Sequence, residues 1–379
     1  MRKLLVICHG FPPYYGGAEH AAWYLARAAA ATGRFEVSVL TSDIGGRLPA
    51  EEQMERLSVF RVPARKKEWS CHTVPELLSF LRSASARLAE ILARTAPDHV
   101  LAHFALPAGE LARRSGVPYS VVLHGADVPG QHTARFGPLY PLVRPLVRRV
   151  WRSAARVIAV SDELRRLALE SWAGGDIEVI RNGVDTEMFR PRNPATEPRP
   201  DGEVRAVVVA QLIERKGLHF LFDALSLLAP AVRRRFSITI CGVGPLEAPL
   251  RARARGLGLE DRVVFKGLVP HEHLPAILRD SDVFILPSLR EGLPLALLEA
   301  MGCGLAVVAT RVGGIPAVLR DGENARVVDP GDSRQLRAAL ESLLDAGLRS
   351  RLAPEARQTA EAHSWSTAWS RYEACLGLA

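Results

Sequence analysis

Long apolar runs are missing. No stretch of the 379 residues approaches the ~18 uninterrupted apolar side chains of a membrane-spanning helix, so no segment is expected to cross a bilayer. The apolar run in the opening MRKLLVICHGFPP is too brief for a secretory leader with its cleavage site and reads as a first β-strand. Cysteine is sparse: Cys8, Cys71, Cys241, Cys303 and Cys375 are odd in number, widely scattered and without C-x-x-C spacing. That excludes a disulfide framework and a cysteine zinc site, and points to reduced thiols in a cytoplasmic protein. Cys8 and Cys241 lie in strand-like apolar runs and read as small buried hydrophobes. No His/Cys/Asp cluster has metal-ligand spacing, so neither a metal nor another cofactor is expected. No G-x-G-x-x-G follows the first strand with an acidic residue ending the second, which disfavours a nicotinamide oxidoreductase. No nucleic-acid motif accompanies the basic residues, so no nucleic-acid partner is expected.

What is present is an ordinary globular composition, 48% hydrophobic and 24% charged, in a chain longer than one core serves. Two domains are predicted. Short β-branched runs alternate with longer amphipathic segments twice over, the pattern of βαβ units building parallel sheets. Strand candidates in the first half are 4–8, 37–41, 58–62, 99–104, 120–124, 157–161 and 177–180. In the second they are 205–210, 237–241, 263–266, 283–286, 306–310 and 326–328. The proline-rich, polar stretch from Arg190 to Glu203 can be neither helix interior nor core and reads as a linker. The expected organisation is therefore α/β with two doubly wound, Rossmann-like domains: residues 1–188, a linker at 189–203, residues 204–362, and a terminal helix from 363 to 379. Trp365, Trp369 and Tyr372, spaced by four and three, predict that this helix docks back on the first domain. Ligands of such sheets bind at the carboxyl ends of the strands, so the chemistry is expected on strand-to-helix loops where the two domains face across a cleft.

The net charge is +8, and residues 1–190 hold most of it, with 25 basic against 19 acidic residues. The densest parts are Arg65 to Lys67, followed by Trp69, and the segment from Arg144 through Arg148, Arg149 and Arg152 to Arg156. Such a face is either a solvated helix surface or a seat on an anionic cytoplasmic leaflet.

The polar loops carry the functional signal. Pro287-Ser-Leu-Arg-Glu-Gly-Leu-Pro294 follows a strand and leads into Leu295-Ala-Leu-Leu-Glu-Ala-Met301. Pro294 suits a helix's first turn and Gly302 its end, so a helix N-terminus with free N–H groups is predicted beside a diphosphate. Glu291 precedes this helix and Glu299 lies one to two turns into it; the pair would frame a phosphate site and accept from sugar or ribose hydroxyls. Read alone, Glu291 is equally a cap and Glu299 a solvated helix residue. Glu214-Arg215-Lys216-Gly217 puts two cations after another strand, where Lys216 can neutralise a leaving diphosphate. Gly16 and Gly17 let the backbone approach a ligand after the first strand. His124 and Asp127, in His124-Gly-Ala-Asp127, are placed to bind a sugar or assist proton transfer; His9 and His103 read as structural.

Together these motifs resemble the family 4 glycosyltransferases, retaining enzymes of the two-Rossmann, GT-B type. The resemblance runs through Pro12-Pro13 with Gly16-Gly17 and Glu19, His124 to Asp127, Val160-Ser161, Arg181-Asn-Gly-Val-Asp185 with Phe189, Lys216-Gly217, Gly242-Val-Gly244-Pro and Phe265-Lys-Gly267. It continues through Glu291-Gly292-Leu293-Pro294, Glu299-Ala-Met301 and Val308-Ala-Thr310, and so covers almost the whole chain. It implies metal-independent transfer of a sugar from a nucleotide-sugar donor, UDP- or GDP-linked, to a saccharide or lipid-linked acceptor, with retention of configuration. Glu299 would bind the donor ribose and Glu291 the sugar hydroxyls. The amides of Leu293 and Leu295, Lys216 and the Gly16-Gly17 loop would hold the diphosphate; His124 would lie beside the sugar and the stretch from Phe265 to Val269 near the base.

The family pattern has an arginine where this chain has Gln211, between Ala210 and Leu212, and a neutral side chain cannot supply that second phosphate cation. Arg215 does not share the missing arginine's register. The departure motivates a rival reading, a catalytically impaired relative that binds a nucleotide or a partner. A smaller departure is Ala317, where the element at Gly313-Gly-Ile-Pro316 ordinarily continues with an acidic residue.

Overall fold

The computed structural model describes residues 1–13, 16–65, 73–126, 128, 140–192 and 202–378. It separates into two compact units, Met1–Asn182 with Trp365–Ala379, and Gly183–Ser364.

The first unit is built on a sheet of strands β1 (Arg2–Ile7), β2 (Phe35–Ile44), β3 (Glu51–Met54), β4 (Leu57–Ala64), β5 (His99–His103), β6 (Tyr119–Leu123), β7 (Arg156–Ala159) and β8 (Ile177–Val179), in the order β3-β4-β2-β1-β5-β6-β7-β8. All neighbours are parallel except β3 and β4. Helices α1 (Gly17–Ala31), α2 (Val74–Thr95), α3 (Glu110–Ser115), α4 (Tyr140–Ser153) and α5 (Asp162–Ser171) cover it. Central strands read as nearly unbroken Val/Leu/Ile runs because parallel strands are covered on both faces, and β5 and β6 are buried at every position. Strand β1 pairs with β2 on one side and β5 on the other, so the chain reverses its direction of growth there. The loops after β1 and β5 flank that switch point, the position at which open α/β sheets bind ligands.

Strand β3 has no counterpart among the sequence expectations. Its Glu-Glu-Gln-Met sequence shows no apolar alternation; it is held by antiparallel backbone pairing with β4, and tertiary partners engage its carboxylates. Arg94 of α2 donates to both oxygens of Glu51, at 2.6 and 2.7 Å, and the buried Arg61 of β4 donates to Glu52 at 2.5 Å.

The second unit has a sheet of β9 (Val204–Val209), β10 (Phe236–Cys241), β11 (Val263–Gly267), β12 (Val283–Leu286), β13 (Ala306–Thr310) and β14 (Arg326–Val328). The order is β11-β10-β9-β12-β13-β14, parallel throughout. Its helices include α6 (Leu218–Ser226), α7 (Glu247–Gly256), α8 (Leu274–Arg279), α9 (Leu295–Gly302), α10 (Ser333–Ser342) and α11 (Ala346–Ala362). Here β9 is the strand at which growth reverses, with β10 on one flank and β12 on the other.

The division between units falls at Asn182, ahead of the expected end of the first domain at 188. Val184 and Phe189 are buried in the second unit's core, and Arg357 of α11 donates to the carbonyls of Thr186, Phe189 and Gly302. Phe189 is thus core and not linker; residues 193–201 of the expected linker lie outside the described residues. The chain ends in α12 (Trp365–Cys375), which belongs to the first unit. Trp365 stacks on Tyr24 at 5.3 Å, Trp369 meets Phe35 edge-on at 5.2 Å, and Arg34 pairs with Glu373 at 2.5 Å. Among the described residues no helix is long and apolar enough to cross a membrane.

Candidate functional site

In the second unit the polar residues singled out by sequence come from the loops that follow β9 and β12, on either side of the switch point. Lys216, on a short 3-10 turn after β9, reaches Glu291, in the loop after β12, with Nζ 2.5 Å from Oε1. Ser288 Oγ donates to the same oxygen at 2.6 Å, and Arg215 Nη1 stands 4.0 Å from Oε2. Both members of the pair are buried, at 9% and 4% exposure, which would be costly for either charge alone. Burial drives Lys216 below the ordinary lysine value, although Glu291 opposes the shift. Burial would raise Glu291, yet Lys216 and then Arg215 outweigh it and hold the carboxyl below the usual range. The arrangement brings two basic side chains and a carboxylate together in one place with little water to screen them.

Two glycines hold these loops against each other. Gly217 adopts φ +64°, and a Cβ there would stand 2.1 Å from the carbonyl oxygen of Pro287; Leu289 N–H donates to Arg215 O at 2.7 Å across the same contact. Gly313, at φ +61°, lies so close beneath the Glu291 carbonyl that a Cβ would meet it at 2.1 Å. Both positions need the left-handed backbone and the missing side chain together.

Helix α9 begins at Leu295, and Pro294 stands just outside it as the N-cap, with φ −72° and ψ 131°, one residue earlier than the first-turn position expected of it. No side chain caps this end among the described residues, and although Leu297 N–H donates to Pro294 O at 3.2 Å, a helix start of this kind favours an anion. The side chains of Leu293 and Leu295 are buried in the core, leaving Gly292, Leu293, Pro294 and Leu295 to act through the backbone. Glu299 lies one turn into α9, 5% exposed, with Oε1 2.8 Å from His271 Nε2. Gln211 lies two residues beyond the end of β9, and its carbonyl accepts from the Ile213 N–H. Val269 packs its side chain against the core and Phe265 is covered by Arg251 at 4.4 Å, while the side chains of Lys266 and Leu268 in the same stretch are exposed.

In the first unit, His124 follows β6 and His103 ends β5. His103 Nδ1 and His124 Nε2 are 2.9 Å apart, and the rings stack at 5.1 Å. Burial pushes His124 down to about 4 and His103 well below the histidine range, with Glu19 acting in the opposite sense. At neutral pH His124 is accordingly an uncharged hydrogen-bonding group. Glu19 lies against Gly16, where a Cβ would meet its carboxylate at 2.1 Å, and Gly16 O accepts from the His20 ring at 3.0 Å. Gly17 opens α1. Asp127 lies outside the described residues.

Of the basic segment, Arg144, Arg149 and Arg152 are exposed on α4 beside Leu142, whereas Arg148 donates to Ser171 O and Arg156 to Cys375 O. Arg65 is exposed; Lys66, Lys67 and Trp69 lie outside the described residues. No group of three or more metal-ligating side chains occurs among the described residues. Among the described residues, Cys8, Cys241, Cys303 and Cys375 are not joined in disulfides.

Sequence reasoning missed Ser288 and His271. Ser288 sits three residues before Glu291, a spacing that hints at a local hydrogen bond. His271 carried no such signal, since its partner is 28 residues away.

Two doubly wound parallel sheets, each with polar side chains on its switch-point loops, define the GT-B class of fold. Residues 15–188 match the model of Glycosyltransferase Family 4, and residues 189–359 that of Glycosyl transferases group 1. The chain belongs to the family 4 glycosyltransferases. It is 32% identical to a glycosyltransferase of Salmonella typhimurium assigned to colanic acid biosynthesis, across 68% of this chain and 64% of that one. It is 34% identical to the GDP-mannose-dependent alpha-(1-6)-phosphatidylinositol monomannoside mannosyltransferase of Mycolicibacterium smegmatis, across 62% and 63%. The chain thus spans just under two thirds of the length of these curated relatives. Among solved structures, Anabaena HepE in complex with UDP-glucose shares the fold with a TM-score of 0.77 at 19% identity, each chain covered in full.

Proposed function

We propose that this protein is a retaining glycosyltransferase that moves a sugar from a UDP- or GDP-sugar to a saccharide or lipid-linked acceptor, in the synthesis of a cell-surface polysaccharide or glycolipid. The observation that carries the reading is the buried Lys216–Glu291 pair, joined by Arg215, on the two switch-point loops that precede the uncapped end of α9. Lys216 and the α9 amides neutralise the departing diphosphate, Glu291 accepts from sugar hydroxyls, and Glu299 from the ribose. With two cations present, transfer proceeds without a metal. Each carboxylate is already engaged by a partner side chain, which favours a same-face displacement. The bond from the anomeric carbon to the phosphate oxygen breaks, the acceptor oxygen bonds to that carbon, and the phosphate oxygen takes the acceptor's proton. Relatives and neighbours named for GDP-mannose and for UDP-glucose support both donor classes.

Arg215 also weighs against the impaired-relative reading, because its guanidinium reaches the carboxylate that Lys216 pairs with and brings a second cation despite Gln211. Thermal unfolding against UDP, GDP, ADP and dTDP, each with and without magnesium, tests the proposal. One base should add ~2.7 kcal/mol at about 100 times its Kd, with or without metal. No shift with any of them would return the impaired relative to first place.

The exposed Arg144, Arg149 and Arg152, with Leu142, suit an anionic leaflet that presents a lipid-linked acceptor. Cosedimentation should rise with the anionic lipid content of vesicles and fall when the three arginines become glutamines. Binding indifferent to lipid charge would remove this part of the proposal.

A further inference from the structure

Glu299 is not held by its own helix. Its carboxylate is met from outside α9 by His271, on the 3-10 turn His271–His273 between β11 and α8, with Nε2 2.8 Å from Oε1. The imidazole is itself fixed. It is only 9% exposed, and the Phe189 ring meets it at 5.3 Å and 62°. The acidic groups around it are Glu299, Glu272 and Asp185, and their attraction for the protonated form outweighs the opposing effect of burial.

This arrangement has two physical consequences for a carboxylate that must receive hydroxyls. An acceptor bonded at Oε1 by a rigid Nε2–H loses its freedom to rotate away, while Oε2 and the remaining lone pairs stay able to accept. A ring N–H donor at this carboxylate also offsets part of the negative charge that Glu299 brings to the helix whose N-terminus would take a diphosphate.

We infer that His271 is a positioning residue that holds the Glu299 carboxylate for the ribose hydroxyls of the donor, and so sets the preference of the site for ribonucleotides over nucleotides lacking those hydroxyls. The inference rests on the proposed role of Glu299 in the donor site. It deepens that role by making ribose recognition depend on a residue that bears no motif and lies in a different loop.

Calorimetric titration of the intact protein tests it, with the nucleoside diphosphate that stabilises it most and with its 2′,3′-dideoxy counterpart. The quantity of interest is the ratio of the two Kd values. In the wild type the ribonucleotide should bind ~10-fold more tightly, as expected of one charge-assisted hydrogen-bonded contact. Glu299→Ala should bring the ratio close to one. His271→Phe, which keeps ring packing and removes the donor, should do the same while leaving dideoxynucleotide affinity nearly unchanged. His271→Gln, whose amide nitrogen can reach the Nε2 position, should restore most of the preference. A full preference in His271→Phe, with Glu299→Ala still without one, would overturn the inference and leave the role of Glu299 standing. Equal loss of affinity for both ligands in His271→Phe, without recovery in His271→Gln, would make His271 a packing residue and also overturn it. An unchanged preference in Glu299→Ala, or no nucleotide binding by the wild type, would overturn the donor-site reading and this inference with it.

Discussion

Glu291→Ala is expected to lower the rate of sugar transfer by about a thousandfold, the upper part of the range for removing one preorganised polar group from an active site. Two losses combine. The acceptor for the sugar hydroxyls disappears, and Lys216 is left buried without the carboxylate that opposes its loss of charge. Breaking a buried pair from one side costs about 3–5 kcal/mol, so the melting temperature should fall as well. Glu291→Gln separates the two effects, because its amide oxygen can still accept from Ser288 and Lys216 while the charge is gone. It should melt above the alanine variant and still transfer slowly. A wild-type rate in Glu291→Ala would sink the donor-site assignment.

Lys216→Met should lower kcat/KM by about a hundredfold or more, since a flexible apolar chain fills the space but cannot stabilise a departing diphosphate. Its signature is selective. Affinity for the nucleoside diphosphate should fall while affinity for the corresponding nucleoside, which has no phosphate, stays near wild type. Equal affinities for the diphosphate in both proteins would show that Lys216 only balances Glu291. The acid limb of stability should move too. Glu291 has a depressed value in the folded protein, so its stabilising contribution is present above the ordinary carboxylate range and is lost as pH falls through the folded value. With Lys216 gone the folded value rises, the gap to the unfolded chain narrows, and less stability remains to be lost on acidification.

Much of this architecture was legible before any coordinates, because parallel sheets write themselves into sequence as short, unbroken apolar runs separated by amphipathic helices. Each expected strand occurs within a few residues of its predicted place. Strand β3 was illegible for the opposite reason: Glu51 and Glu52 are ordered by Arg94 and Arg61, which no local pattern connects to them. The division of the chain at Asn182 was equally hidden, since Phe189 reads as the start of a polar linker until Arg357, in a helix 168 residues away, is seen holding its carbonyl. For the candidate site, the loops and their charged residues could be read, but the partners could not. Glu291 looked like a cap or a hydroxyl acceptor, and its pairing with Lys216 spans 75 residues. Gln211 reads as a missing cation, and that Arg215 stands 4.0 Å from the Glu291 carboxylate is a tertiary contact no local pattern records.

The two α/β domains, the family and the polar loops of the candidate site could be read from the chain alone, because these depend on periodicity, turn residues and motif order. Which charges face one another, that His124 lies against the buried His103, and that His271 meets Glu299 became visible in three dimensions alone. Those outcomes depend on burial and on distances between loops, and hydrophobic patterning brings such loops together without recording what their side chains will meet.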